Sequence, residues 1–310
     1  MHFEPAYLNL LRSGELAERV RVAYQHLEHC DLCAHRCGVN RRERIRGAVC
    51  RTGERAVVSG YHPHFGEEAP LVGRGGSGTI FFAWCNLRCQ FCQNYEISQL
   101  GEGSPVEPEE IAVMMLHLQA EGCHNINLVS PSHVIAPILA AVLVAAQAGL
   151  HVPLVYNTGG YDSPEALALL DGVIDIYMPD LKYADAATAR RYSKIREYPA
   201  INRAAVKEMH RQVGDLLLDD SGIAQCGLLV RHLILPNDLA GTREVLRFIV
   251  EEISLNTYVN LMDQYRPCYK ASGFAELNRR ITRDEFEQAV RWAEELGLNR
   301  LDKRAWLRWL

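Results

Sequence analysis

The stretch that decides the fold reads Gly78-Thr-Ile-Phe-Phe-Ala-Trp-Cys85-Asn-Leu-Arg-Cys89-Gln-Phe-Cys92-Gln-Asn94. Its first residues, 78–82, form a short apolar run that predicts a strand leading directly into a cysteine loop. Three thiolates on one loop can hold one face of a [4Fe–4S] cubane, which requires four ligands. One iron would then stay open for a substrate or cofactor. The spacing also fits a zinc knuckle whose fourth ligand lies elsewhere, so both metals remain open at this point.

A second cysteine group precedes this loop and consists of Cys30, Cys33, Cys37 and Cys50. Four thiolates can close a tetrahedral site and leave no open position, which suits a structural zinc or an auxiliary iron–sulfur cluster. Spacing alone does not separate these two metals. The N-terminus lacks a basic start followed by an apolar run, so we predict no secretory signal and no disulfide framework. We therefore expect a cytoplasmic protein whose cysteines bind metal.

The composition excludes several classes of protein. Apolar residues make up 48% and charged residues 23% of the 310 residues, which excludes disorder, collagen and coiled coil as the main state. The net charge of −5 gives no overall attraction to nucleic acid or to an anionic membrane, so we predict neither as a partner. The longest apolar stretch, Val134–Leu150, is interrupted by Pro137 and Gln147 and predicts a buried helix, not a membrane span.

Predicted strands and helices alternate along the chain, which is typical of an α/β fold with a parallel sheet. After Gly78–Phe82, the patterns predict strands at Asn125–Val129, Val152–Tyr156, Ile174–Met178, Gly227–Leu235 and Tyr258–Met262. They predict helices at Pro108–Gly122, 134–148, from Ser163-Pro164-Glu165 onward, over one long region at 185–214, at Thr242–Ile253 and at Arg283–Leu296. Polar residues such as Asn157, Asp180, Lys182 and Arg231 gather at the ends of these strands, where barrel enzymes build their active sites.

With Phe91 before its last cysteine, the Cys-x-x-x-Cys-x-x-Cys loop resembles the signature of the radical S-adenosylmethionine (SAM) superfamily. The longer string from Gly78 to Asn94 is similar to the pyruvate formate-lyase activating enzyme branch. Closest is a subgroup of that branch that carries an N-terminal cysteine group and a stretch like Gly66-Glu67-Glu68-Ala-Pro70. The resemblance covers the chain from about Cys30 to Cys268.

The resemblance implies a partial (βα)6 barrel of the radical SAM type with a small cysteine-rich extension. We accordingly assign residues 1–74 to an N-terminal helical and four-cysteine extension and residues 75–270 to the radical SAM core. Residues 271–310 form a C-terminal helical extension in this assignment, and the tail from Arg300 to Leu310 is basic and aromatic.

The same resemblance implies an oxidoreductase. Cys85, Cys89 and Cys92 would hold a [4Fe–4S] cluster that reductively cleaves SAM to methionine and a 5′-deoxyadenosyl radical, and the cofactor would carry this chemistry. The radical would abstract hydrogen from a glycyl-radical enzyme, another polypeptide or a small molecule. A low-potential electron donor, similar to flavodoxin or ferredoxin, would reduce the cluster. The alternative is a non-catalytic scaffold in which both cysteine groups hold structural zinc or iron–sulfur clusters.

The resemblance also implies that further residues bind SAM. Ser130 and Ser132 occupy the place where the family often has a Gly-Gly-Glu segment that binds the methionyl amino group. Asn157 replaces an aspartate of the family, which removes one negative charge from a monovalent cation site. The full set that we predict to bind the cofactor is Asn94, Ser130, Ser132, Asn157, Thr158, Asp180, Lys182 and Arg231.

Overall fold

The computed structural model describes residues 3–303, and a sheet of nine strands forms its centre. The strands are β1 (Ala56–His64), β2 (Ser77–Phe82), β3 (Ser104–Val106), β4 (Ile126–Val129), β5 (Leu154–Thr158), β6 (Ile176–Pro179), β7 (Leu217–Leu218), β8 (Ala224–Leu233) and β9 (Tyr258–Met262). Their order is β3-β1-β2-β4-β5-β6-β8-β7, and β9 also pairs with β8. Strands β2, β4, β5, β6, β8 and β9 run parallel to one another, which confirms the predicted partial (βα)6 barrel.

Helices connect the parallel strands and cover the outside of the sheet. They are α1 (Tyr7–Ser13), α2 (Glu15–His26), α3 (Ala69–Val72), α4 (Pro108–Ala120), α5 (Ile135–Gln147), α6 (Pro164–Leu170), α7 (Ala186–Ser193), α8 (Tyr198–Val213), α9 (Thr242–Glu252) and α10 (Arg283–Glu295). The predicted start of α6 is confirmed, because the Ser163 hydroxyl accepts a hydrogen bond from the Ala166 N–H at 3.2 Å. Helix α5 is the predicted buried apolar helix.

The predicted single helical region at 185–214 is wrong, because the chain forms two helices there. Lys194 and Glu197 adopt left-handed backbone conformations, with φ of 58° and 53°, which end α7 and precede α8. The break leaves Ser193 at the end of α7, where its hydroxyl reaches the cysteine loop.

Strand β5 lies two residues further along the chain than its predicted range of Val152–Tyr156. Asn157 and Thr158 still pair with Val129, Met178 and Pro179 in the sheet, so they are the last residues of the strand and not the first of a loop. Their side chains are therefore fixed by the sheet register.

Strand β1 has no counterpart among the predicted strands. It lies within the range that we assigned to the N-terminal extension, yet it pairs antiparallel with β2 from Val58 to His64. Its exposed half, which contains glycine, histidine and proline, lacks the apolar alternation that predicts a strand. Residues 56–64 thus belong to the central sheet.

The strands bury two separate apolar layers. Leu154, Tyr156 and Leu228 face the helices, whereas Val155 and Leu229 face the interior of the barrel. The interior layer consists of Leu71, Val155, Ile176, Met178, Leu216, Ala224 and Leu229, with Leu71 supplied by α3. Because side chains alternate along a strand, Asn127, Asn157, Arg231 and Asn260 face the same interior.

The segments outside the barrel pack on its flank. Helices α1 and α2 lie against α5, and the Tyr7 hydroxyl donates to the Val152 carbonyl at 3.0 Å. Helix α10 packs on α9 and begins with a capping box between Thr282 and Glu285. Residues 304–310 of the predicted basic and aromatic tail lie outside the described residues. Among residues 3–303, no helix is both long and apolar enough to cross a bilayer.

Candidate active site

The cysteine loop leaves the carboxyl end of β2 and is shaped by its backbone. Trp84 adopts a left-handed conformation, with φ of 66°, and its N–H donates to the Ile97 carbonyl at 2.9 Å. A short π-helical turn from Glu96 to Leu100 follows the loop. Such turns are frequent at functional sites because they re-aim side chains within a helix.

Each sulfur of the loop lies beside a hydrogen-bond donor. The Leu87 N–H donates to the Cys85 Sγ at 3.3 Å, and the Ser193 hydroxyl donates to the Cys89 Sγ at 3.0 Å. The Ser98 hydroxyl lies 3.1 Å from the Cys92 Sγ. Donors of this kind stabilise thiolates and tune a bound iron–sulfur centre. Neither serine was identified from the sequence.

Burial favours the neutral thiol form of the loop cysteines, which would lose their protons on metal binding. The pKa of Cys85 is raised to about 12, chiefly by burial and also by Cys89 and Cys92, whereas Lys182 lowers it. Burial also raises the pKa of Cys89, again against Lys182. The three thiols are close enough to interact, and this soft donor set at the mouth of the barrel fits a [4Fe–4S] cluster. Within residues 3–303, no three His, Cys, Asp or Glu side chains converge closely enough to hold a metal ion as they stand, so the fit to a cluster rests on the chemistry of the donors and not on their placement.

Beside the loop, the ends of β5, β6 and β8 bring four predicted residues together. The Arg231 guanidinium donates to Asp180 Oδ1 at 3.0 Å and to Asn157 Oδ1 at 2.6 Å. Lys182 Nζ donates to Asp180 Oδ2 at 2.5 Å. Burial would raise the pKa of Asp180, but Arg231 and Lys182 outweigh it and hold that pKa below its usual range. Asp180 therefore positions both cations as a carboxylate.

Two other predicted residues lie in a second buried network. The Ser132 and Thr158 hydroxyls are 2.9 Å apart, and Thr158 donates to Asp162 Oδ2 at 2.7 Å. The Tyr156 hydroxyl donates to Asp162 Oδ1 at 2.9 Å. Burial raises the pKa of Asp162 in spite of these donors. The hydroxyls of Ser132 and Thr158 are thus engaged with the protein.

The side chains of the last two predicted cofactor residues belong to neither network. Ser130 follows β4 in a left-handed conformation, with φ of 60°, and its N–H donates to the Asn157 carbonyl at 2.9 Å. Asn94 is exposed, and its carbonyl accepts from the Ser98 N–H at 2.9 Å.

The N-terminal cysteines surround a buried arginine. Arg41 is 3% exposed and donates to the Cys30 Sγ at 3.5 Å and to the Thr52 carbonyl at 2.8 Å. The Val49 N–H donates to the Cys37 Sγ at 3.5 Å. Burial raises the pKa of Cys33, and the charges of the other three cysteines add to this effect. The four thiols therefore form one electrostatically coupled group.

This group packs directly on the signature loop. His35 Nε2 lies 2.6 Å from the Asn86 carbonyl, and Arg51 lies over the Trp84 ring at 5.3 Å. The Arg88 guanidinium donates to the Val49 carbonyl. Burial lowers the pKa of Arg88, and Arg51 adds to this effect, whereas Cys85 and Cys50 oppose it. Arg88 thus lies within the electrostatic reach of both cysteine groups.

Comparison with known proteins agrees with this geometry. The model of the Radical SAM superfamily matches residues 79–249. "Uncharacterized protein MJ0674" of Methanocaldococcus jannaschii is 35% identical over 301 residues, which cover 94% of this chain and 82% of that protein. The chain belongs to the radical SAM superfamily, and this membership implies a [4Fe–4S] cluster and SAM as cofactors.

Solved structures give weaker likenesses. Streptococcus suis SuiB bound to precursor peptide SuiA has a TM-score of 0.49 and 11% identity, and covers 73% of this chain and 49% of that chain. HydG, a maturase of the [FeFe]-hydrogenase, has a TM-score of 0.49 and 12% identity over 70% of this chain and 48% of that chain. Methylornithine synthase has a TM-score of 0.47 and 17% identity, and the match covers 71% of this chain and 62% of that chain. The chain spans about half the length of the first two.

Proposed function

We propose that the protein is a radical SAM enzyme of the pyruvate formate-lyase activating type, in which Cys85, Cys89 and Cys92 hold the [4Fe–4S] cluster. The observation that carries this proposal is the position of Lys182. Its ammonium group is bound to Asp180, and its side chain lies close to the signature loop: a Cβ at Gly159 would be 3.7 Å from Lys182 Cε and 2.5 Å from Leu87 Cδ1. The strand-end network therefore adjoins the cysteine loop. When bound, the cluster supplies the electron for reductive cleavage of SAM.

The chain's own residues would orient SAM. Asp180 fixes Arg231 and Lys182, and a fixed guanidinium is suited to the methionyl carboxylate. Asn157 stands where the family has an aspartate, and its Oδ1 accepts a hydrogen bond from the Arg231 guanidinium. Arg231 would thereby take the place of the monovalent cation. Asn94 and Ser130 would contribute contacts around the same edge of the barrel. Ser132 and Thr158, whose hydroxyls are engaged with each other and with Asp162, would position that edge.

We infer further that the substrate is a polypeptide that loses a glycine Cα hydrogen, as in the activating enzymes that the string 78–94 resembles. The test uses extract from host cells grown on glycine deuterated at Cα, incubated anaerobically with reduced enzyme and SAM. Deuterium in the 5′-deoxyadenosine would support a glycine substrate. Ultrafiltration before the assay separates protein from small molecules. Unlabelled 5′-deoxyadenosine from both fractions would contradict the glycine proposal and leave SAM cleavage intact.

We propose that the electron donor docks on a groove beside the N-terminal cysteines. This groove, of about 990 Å³, is lined by Arg41, Arg42, Arg44, Arg51 and Arg55 and also contacts Trp84 of the signature loop. Arg41 is buried, and the four exposed arginines outnumber the three glutamates of the groove, which favours an acidic partner such as a flavodoxin. Arg44→Glu should slow flavodoxin-driven SAM cleavage and leave dithionite-driven cleavage unchanged. Arg247→Glu, at an exposed position of α9, is the matched control; equal slowing in both variants would contradict the docking site.

For the N-terminal cysteines we propose a second metal site that stabilises the extension against the signature loop. The contacts of His35, Arg51 and Arg88 with that loop support this role. Zinc and an auxiliary cluster remain the two candidate occupants, and metal counting on one sample separates them. A protein that is fully stable with neither metal at these cysteines would contradict the proposal.

A further inference from the structure

A polar cavity of about 320 Å³ lies inside the barrel, next to the strand-end network. Its volume is at the lower end of that of small-molecule sites. Its polar lining consists of Glu67, Glu68, Arg231, Asn260, Asp263, Gln264 and Asp302. Glu67 and Glu68 belong to the Gly66–Pro70 stretch, to which the sequence analysis assigned no role.

The segment that carries the two glutamates is held firmly in place. The Leu71 N–H donates to the Glu68 carbonyl at 2.9 Å, and the Leu71 carbonyl accepts from the Asn125 side chain at 2.8 Å. Leu71 also joins the interior apolar layer. The glutamates therefore sit on a fixed floor inside the barrel, not on a surface loop.

Two buried side chains at this interior have polar atoms without partners. Glu68 is 3% exposed; its Oε1 accepts from Asn260 Nδ2 at 2.7 Å, but its Oε2 has no hydrogen-bond partner. Asn127 is fully buried on the inward face of β4, next to Val155 of the same floor, and neither atom of its amide has a partner. Buried polar atoms are nearly always paired, so Glu68 Oε2 indicates a ligand in this cavity. Asn127 faces the same barrel interior but lies outside the lining of the cavity.

The charges around the cavity indicate what this ligand carries. The cavity and the adjoining strand-end network contain five carboxyl groups and two cations. The carboxyl groups belong to Glu67, Glu68, Asp180, Asp263 and Asp302, and the cations are Arg231 and Lys182. The Arg231 guanidinium is already shared by Asp180, Asn157 and Glu67, the last at 3.7 Å. Burial raises the pKa of Glu68, and Arg231 only partly offsets this effect. The excess of carboxyl groups over cations favours a positively charged ligand, which would also stabilise the ionised form of Glu68.

We propose that this cavity binds a protonated amino group of the substrate, with Glu68 Oε2 as its main acceptor and Glu67 as the second carboxylate. The inference rests on the proposed function, because the bound amine would belong to the molecule that undergoes the radical reaction. Arg231 connects the two parts of the site, since it contacts Asp180 on one side and Glu67 on the other.

The test measures binding and does not depend on turnover. The probe is n-butylammonium, observed by saturation-transfer NMR on the anaerobic, reconstituted protein, and its uncharged counterpart is 1-butanol. We expect binding of the ammonium and none of the alcohol. Glu68→Gln keeps the size of the side chain and should weaken ammonium binding roughly tenfold or more, the range expected for a lost charged hydrogen bond. Glu251→Gln, at an exposed position of α9, should leave it unchanged.

Four results would overturn the inference. Equal binding of butanol would show that charge is not recognised, and full binding by both Glu68→Gln and Glu67→Gln would place the amine elsewhere. Displacement by S-adenosylhomocysteine would assign these glutamates to the subsite of SAM itself. SAM cleavage without ammonium binding would refute this inference alone, whereas ammonium binding without SAM cleavage would refute the proposed function alone.

Discussion

Replacing Asp180 by asparagine should destabilise the protein far more than breaking a surface ion pair. Asp180 is 9% exposed and holds Arg231 Nε at 3.0 Å and Lys182 Nζ at 2.5 Å. Asn keeps one acceptor oxygen but turns an amide N–H₂ toward a cation. Removing one partner of a buried ion pair costs about 3–5 kcal/mol, because the remaining charge is left uncompensated.

The partial exposure of the three side chains, 12–18%, favours the lower end of that range. For 310 residues, about 2.1 cal/mol/K per residue gives an unfolding entropy of roughly 0.65 kcal/mol/K. A loss of about 3 kcal/mol then lowers the Tm by roughly 5 °C. The assay is differential scanning calorimetry of matched, anaerobically prepared proteins.

The control variant is Glu252→Gln, which breaks the exposed pair between Lys207 and Glu252 and should leave the Tm almost unchanged. The double variant Asp180→Asn, Lys182→Met also removes one of the two cations left without a carboxylate. Its Tm should therefore be higher than that of Asp180→Asn alone. If Asp180→Asn lowers the Tm no more than Glu252→Gln, the reasoning about a buried charge network is refuted.

Three further predictions concern the loops and the extension. Gly160→Ala should lower the Tm more than Gly149→Ala: both have positive φ, but a Cβ at Gly160 would lie 2.6 Å from the Asp180 carbonyl oxygen, whereas Gly149 faces open space. Burial lowers the pKa of His133 to about 3, so the free energy of unfolding, measured in urea, should fall as the pH decreases from 6.5 toward 3, and His133→Gln should flatten this slope. Cys33→Ala should lower the Tm and the soluble yield before it affects SAM cleavage, because a structural metal contributes folding energy; a stable variant that cleaves SAM but does not process substrate would indicate an auxiliary redox cluster.

The sequence predicts the barrel well because the patterns that indicate its strands and helices lie within short stretches of the chain. The strand–cysteine loop at 78–94 and the apolar helix at 135–147 depend on neighbouring residues, and both are confirmed. The site depends on contacts between distant residues. Ser193 reaches Cys89 only because the chain breaks between α7 and α8, 104 residues after that cysteine.

Inside the barrel, too, the site depends on contacts between residues that are far apart in the sequence. The polar strand ends could be found from the sequence, but the pairing of Asp180 with Arg231 follows from the register of β6 and β8. Glu67 and Glu68 belong to a segment between β1 and α3 that looks like an exposed loop in the sequence. Only the closure of the barrel places them beside Arg231 and Asn260.

The most direct test of the central claim is anaerobic reconstitution, with iron, sulfide and zinc counted on the same sample, followed by dithionite reduction and an assay for 5′-deoxyadenosine. We predict about four irons for the signature loop and SAM-dependent 5′-deoxyadenosine. A count of about eight irons would indicate a second cluster at the N-terminal cysteines. Zinc together with four irons would indicate that the N-terminal site is structural. Cys85→Ala, Cys89→Ala and Cys92→Ala should each abolish the product. Zinc without SAM cleavage, or turnover retained in any of these variants, would contradict the account.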